Sequence, residues 1–185
     1  MFARLCLGLA AALCLHASAQ ADTLPANGQW ASFDVAYDLS GHLGWIDLNS
    51  GSSLSFSFTV PAGASAELTV VDAGFAGDAF TVLNNNLTLG VSPAVTNGYP
   101  DSIGLDFDAA LANPAYSSVV FSLLPGSYSI SGELLRSATD DLGEPLNSTV
   151  GGIRLVVSAV PEPGTLGALL AGLGLLAALR RRQDR

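Results

Sequence analysis

The chain has 185 residues, a formal net charge of −9, seven Arg, no Lys and two Cys. Both cysteines, Cys6 and Cys14, lie in an N-terminal apolar run, so residues 22–158 have no disulfide, thiolate metal site or cysteine nucleophile. In that body Arg136 and Arg154 stand against fourteen carboxylates, a surface that repels nucleic acid and anionic lipid.

Residues 1–21 read as a secretory signal peptide for a Sec-type translocon. Arg4 is the positive region, residues 5–15 are the apolar core, and small residues precede two possible cuts, after Ala19 and after Ala21. Cleavage after Ala21 is preferred. Neither cysteine follows a small residue, which argues against a lipoprotein box. Residues 22–158 are enough for one respectable core, and one domain is expected.

Period-two alternation dominates the body, and helical periodicity is nearly absent. An early strand is expected through residues 30–37. In residues 54–60, Leu54, Phe56, Phe58 and Val60 alternate with Ser55, Ser57 and Thr59, and Pro61-Ala62-Gly63 ends the run as a turn. Strands follow at 67–72 and 79–83, with Phe80 and Val82 inward. Residues 84–100 are rich in Asn, Gly and Pro and read as loop, with a short strand near 87–89. A short helical turn fits residues 106–111, capped by Asp108 and stopped by Asn113-Pro114. Residues 118–123 and 127–133 flank the turn Pro125-Gly126, and residues 152–158 place Ile153, Leu155 and Val157 on one face. Seven or more short strands separated by turns predict an all-β, antiparallel β-sandwich or jelly-roll-like ectodomain.

The last 27 residues, 159–185, have their own logic. Val160-Pro161-Glu162-Pro163-Gly164 is held extended by its prolines, a form a processing enzyme can bind. Residues 164–179 are uncharged, and as a helix they cover about 24 Å of a hydrocarbon core of about 30 Å. This single C-terminal transmembrane helix is short for a permanent anchor. Arg180, Arg181 and Arg182 extend it by snorkelling, and keep the tail at 180–185 cytoplasmic with the body outside.

A Pro-Glu-Pro segment, a short apolar helix and a terminal Arg cluster, in that order, resemble a PEP-CTERM sorting signal. The same motif is also called an ice-binding-protein C-terminal domain. The resemblance implies a Gram-negative bacterium, recognition by an exosortase at the inner membrane, and export to the cell envelope or an exopolysaccharide matrix. The stretch Asp72 to Val82, with Gly77-Asp78-Ala79-Phe80 inside it, and the stretch 109–132 also resemble the bodies of such exported proteins. That likeness implies a fold and no activity.

The body has no specific chemical signature. Asp72 and Asp78 flank a Gly-containing loop, and oxygen ligands on such a loop suit Ca²⁺, with Asp101, Asp106 and Asp108 nearby in sequence. The spacing lacks the Asp-x-Asp-x-Asp-Gly pattern, and turn hydrogen bonds to backbone amides are the ordinary role of such aspartates. No cofactor is called for. His42 is the sole histidine after residue 21, and no Gly-x-Ser-x-Gly elbow accompanies it. A non-enzymatic exported protein is therefore expected. A carbohydrate-binding module, with Trp30, Tyr37, His42 and Trp45 as a stacking patch, is the alternative. A secreted hydrolase, which needs two carboxylates at a set separation in space, is the third reading.

Overall fold

A computed structural model describes residues 20–37 and 41–160 and, in the tail, residues 164, 167, 171–173 and 180. Ten strands and one helix form the body: β1 (Gln20–Thr23), β2 (Asn27–Tyr37), β3 (Leu43–Ile46), β4 (Leu54–Val60), β5 (Ala64–Asp72), β6 (Ala79–Asn84), β7 (Leu87–Val91), α1 (Phe107–Ala112), β8 (Ser118–Leu123), β9 (Gly126–Arg136) and β10 (Thr149–Ala159). The chain is all-β, as its alternation predicts.

The ladder has two wings. In one, β10 is central, pairing antiparallel with β2 and with β5, and β3 and β8 flank them. In the other, β9 pairs with β4 and with β6, and β7 adds to β6. A single Cα pairing, Gly44 with Glu133, joins the wings through β3 and β9. One departure from the expected antiparallel sheet is β1, which runs parallel to β4 from Gln20 opposite Leu54 to Thr23 opposite Ser57.

The wings fold over one apolar core. Phe33 of β2 stacks on Trp45 of β3 with centroids 3.8 Å apart, and Phe80 of β6 meets Phe33 edge-on at 5.3 Å. Phe56 of β4 meets Trp45 edge-on at 6.3 Å. Burying each such ring is worth about 2–3 kcal/mol, and the edge-on pairings add about 1 kcal/mol. The sheet makes room for two of the rings with glycine. A Cβ on Gly132 would enter the Trp45 indole, and one on Gly151 would enter the Phe33 ring.

The outer face of the β2–β10–β5 wing carries a second, smaller cluster. Val71, Ala76, Ala110 and Tyr116 are buried there with Trp30, Phe107 and Leu111 packed around them. Helix α1 is the lid of that cluster. Its N-cap is Asp106, whose carboxylate accepts from Ala109 N–H at 3.0 Å, rather than the expected Asp108. The reason is position: a cap precedes the helix and accepts from an amide two or three residues on, whereas Asp108 already lies in the first turn. Asp108 instead accepts from Trp30 Nε1 at 2.9 Å and sits 3.4 Å from Arg154, whose guanidinium lies 4.6 Å over the Trp30 ring.

At the β6–β7 hairpin, Asn85 and Asn86 take φ of 50° and 62°, the left-handed pair that a tight two-residue turn demands and asparagine tolerates.

Candidate functional site

Along β9 the ladder passes from β4, last paired at Phe56 with Ile130, to β3, first paired at Gly44 with Glu133. Ser131 and Gly132 fall in the gap, and a cleft of about 260 Å³ opens there. Its walls are Gly44, Trp45, Leu54, Leu83 and Gly132, with His42, Ser53, Asn86, Ser131 and Glu133 adding polar groups. His42, Ser53, Asn86 and Glu133 are exposed. The Trp45 indole N–H is buried without a hydrogen-bond partner. The cleft thus offers one carboxylate, one imidazole and one amide around an apolar wall.

The four sequence candidates for sugar stacking do not converge. Trp45 is 1% exposed, so its face is not a platform. Trp30 is half-buried, with Arg154 over its ring. Tyr37 is exposed, and His42 shares the cleft with Trp45. Glu133 and Asn86 belong to the cleft although nothing in the sequence marked them. They are ordinary strand and turn residues until β3, β6 and β9 meet.

The second polar centre is the β5–β6 loop. Asp72 is fully buried and Asp78 nearly so. Asp72 Oδ2 accepts from Gly77 N–H and Asp78 N–H, each at 3.3 Å. Asp78 Oδ1 accepts from Ala138 N–H at 2.7 Å, and Asp78 also bonds the Thr149 side chain. The loop is bolted elsewhere as well: Tyr116 donates its hydroxyl to Gly74 O at 3.1 Å and accepts from Ile103 N–H. Burial pushes the Asp72 carboxyl up to about 9, with the Asp78 charge adding to the rise. Burial raises Asp78 too, and the bonds from Ala138 and Thr149 pull it part of the way back.

These residues do not fit Ca²⁺, which takes six to eight oxygens. Gly77 N–H and Asp78 N–H donate to Asp72 and Ala138 N–H donates to Asp78, so amides occupy lone pairs that a cation would need. Asp72 Oδ1 is the one orphaned oxygen of the pair. Among the described residues no group of three or more His, Cys, Asp or Glu could hold a metal. The loop's chemistry is that of two buried carboxyls capped by backbone amides.

The body ends on its central strand. Ala159 still pairs with Ala64, and Val160 N–H donates to Gly63 O at 2.8 Å. Residues 159–183 match the PEP-CTERM protein-sorting motif.

The chain carries a PEP-CTERM sorting signal.

That signal marks an exported protein, processed at the envelope and recognised by an exosortase-type enzyme. Within the PEP-CTERM segment Val160 is exposed, Gly164 and residues 167, 171–173 and 180 are helical, and Pro161, Glu162, Pro163, Arg181 and Arg182 lie outside the described residues. The expected membrane helix at 164–179 lies mostly outside them as well. No helix among the described residues is long and apolar enough to cross a membrane. Of the signal-peptide residues, Ala19 is outside the described set, and Ala21 is an exposed member of β1.

No curated protein matches the chain. Among solved structures, the pre-peptidase C-terminal domain of a collagenase from Bacillus anthracis is similar at 10% identity and a TM-score of 0.39, covering 75% of this chain and 96% of that domain. A likeness so distant says nothing about the chemistry of this chain.

Proposed function

We propose that the protein is a non-enzymatic component of the cell envelope or extracellular matrix of a Gram-negative bacterium. It is held for a time at the inner membrane by residues 164–179, with its C-terminus cytoplasmic, and is then released through its PEP-CTERM signal. The match over residues 159–183 carries this reading. The body supports it. Asp72 and Asp78, two carboxylates close enough to interact, are buried, hydrogen-bonded to backbone amides, and line no part of the cleft. That is the arrangement of a structural pair rather than of a hydrolase.

The test is processing in the native host. Replacing Pro161, Glu162 and Pro163 together by Ala is expected to leave the chain full length in the membrane fraction, while the unaltered chain appears shortened in the envelope or medium. Intact mass and fractionation read both. Equal processing of the two chains would refute the reading.

The cleft favours a second reading, a site for one sugar residue of an exopolysaccharide. Its volume of about 260 Å³ suits a small hydroxylated ligand, and Glu133, His42 and Asn86 supply hydrogen-bonding groups beside an apolar wall. Binding on a glycan array is expected to weaken about tenfold in Glu133→Gln, the loss of one charge-assisted hydrogen bond. No retention of any glycan by the unaltered protein removes this reading.

A further inference from the structure

Among the described residues one end of the body carries no charged side chain, and it is the end from which the tail leaves. The strand registers bring its parts together. Val60 pairs with Gly126, Ala66 with Leu123, and Ala64 with Ala159, and Val160 bonds Gly63. The turns Pro61-Ala62-Gly63 and Leu124-Pro125 therefore sit beside Val160, all of them exposed, with Leu124 75% exposed and Val160 50%.

The carboxylates are set back from this end. Glu67 lies three residues up β5 from Ala64, about 10 Å at the rise of a strand. Asp22 lies opposite Phe56, four residues back from Val60, about 13 Å away. Asp72 closes the far end of β5, eight residues and about 26 Å up. Asp101, Asp106, Asp140, Asp141 and Glu144 lie in the loops at that far end, beyond the other ends of β5, β8, β9 and β10.

Only residues 161–163 separate Val160 from the uncharged run that starts at Gly164. Fully extended, three residues span about 10 Å. The headgroup layer is itself about 5–8 Å thick on each side. A body tied this closely stays within about 10 Å of the headgroups. Electrostatics then selects its orientation. The Debye length is about 8 Å at physiological salt, so with the uncharged end down the nearest carboxylates of the body are already about one screening length from anionic lipid, and only Glu162, in the link itself, is nearer. Turned over or lying on its side, the body would press its acidic loops against the lipid phosphates.

We propose that this uncharged end, built from the turns at 61–63 and 124–125 and from Val160, is a membrane-docking face on which the body rests against the lipid headgroups. It rests on the reading of residues 164–179 as a membrane segment. Docking holds the Pro-Glu-Pro segment at the headgroup level while the tail is in place.

The test uses the mature chain, which without its signal peptide has no cysteine and whose one long apolar run is 164–179. An environment-sensitive fluorophore is attached through Ala62→Cys or, at the opposite end, through Leu142→Cys. The chain is reconstituted into vesicles of phosphatidylcholine with a minority of phosphatidylglycerol, some carrying a headgroup quencher. A label at the headgroups is expected to be quenched about threefold more than one held above them. Adding Leu124→Glu to the Ala62→Cys chain is expected to remove most of that difference. Equal quenching at the two positions, with the protein still retained by the vesicles after an alkaline wash, overturns the docking face and leaves the tail reading intact. That result would mean that the end faces water or requires the processing enzyme. Loss of the protein in the wash overturns the membrane segment and the docking with it.

Discussion

Gly151→Ala is expected to destabilise the body by about 3 kcal/mol, the upper range for overpacking a well-filled core. The new Cβ would fall into the Phe33 ring, 2.6 Å from Cε2, and would lie 2.9 Å from Val71 O. Neither neighbour can yield. Phe33 is pinned by Trp45 on its face and Phe80 at its edge. Val71 O belongs to β5, and β10 is hydrogen-bonded on both edges, so the strand cannot back away without breaking a ladder. Against a typical domain stability of about 5–15 kcal/mol, such a loss moves the folding equilibrium more than a hundredfold. Gly51→Ala is the control. Gly51 has φ of +67° and open space around it, so only the left-handed backbone is penalised, by about 1 kcal/mol. Urea unfolding followed by tryptophan fluorescence reads both. Equal midpoints for Gly151→Ala and the unaltered protein would mean that Phe33 does not pack over β10.

Asp72→Asn is expected to remove a pH dependence of about 1.4 kcal/mol per unit, the value of one proton. An ordinary aspartate titrates near 4, and burial, reinforced by Asp78, pushes Asp72 to about 9. Between those values the folded state holds a proton that the unfolded state has released. The folded state therefore binds more protons, and stability falls as pH rises across that window, levelling off above it. Asparagine is neutral throughout. Its carbonyl can accept from Gly77 N–H and Asp78 N–H in place of Oδ2, and its amide takes the position of the unpartnered Oδ1. The variant is expected to be more stable than the parent at pH 8 and to approach it near pH 4, with the difference closing steadily between. Any slope from Asp78 is common to both. Urea midpoints at unit steps of pH measure this, and parallel lines for the two proteins would show that Asp72 is charged in the fold.

Some elements were legible because one residue type decided them. Strands β4 and β8 run over the predicted residues, since a half-buried strand writes its two faces into alternate positions. Strand β5 starts three residues before the expected 67 because Ala64 and Ala66, which carry little hydrophobic signal, are buried on its inner face. From Leu68 to Asp72 alternation vanishes altogether, as α1 and Tyr116 cover the face that would otherwise meet water. Strands β1 and β3 were not expected. Gln-Ala-Asp-Thr and Leu-Gly-Trp-Ile are four residues each, and edges elsewhere in the fold make them strands. Helix α1 starts and ends one residue later than the sequence predicts, and its cap is Asp106.

The candidate sites divide the same way. The Asp72–Asp78 loop was singled out by its residue types, but its burial comes from strands and loops distant in sequence. The cleft was invisible, since Glu133 and His42 are 91 positions apart and meet only where β3 touches β9.

By itself the sequence determined the class of fold and the address. Period-two alternation and a contiguous terminal motif are local properties, written in neighbouring residues. The tertiary structure alone decided which aspartates lose their water, where a cleft opens and which end of the body is free of charge. Those depend on strand register, which brings together residues that share no neighbourhood in the chain.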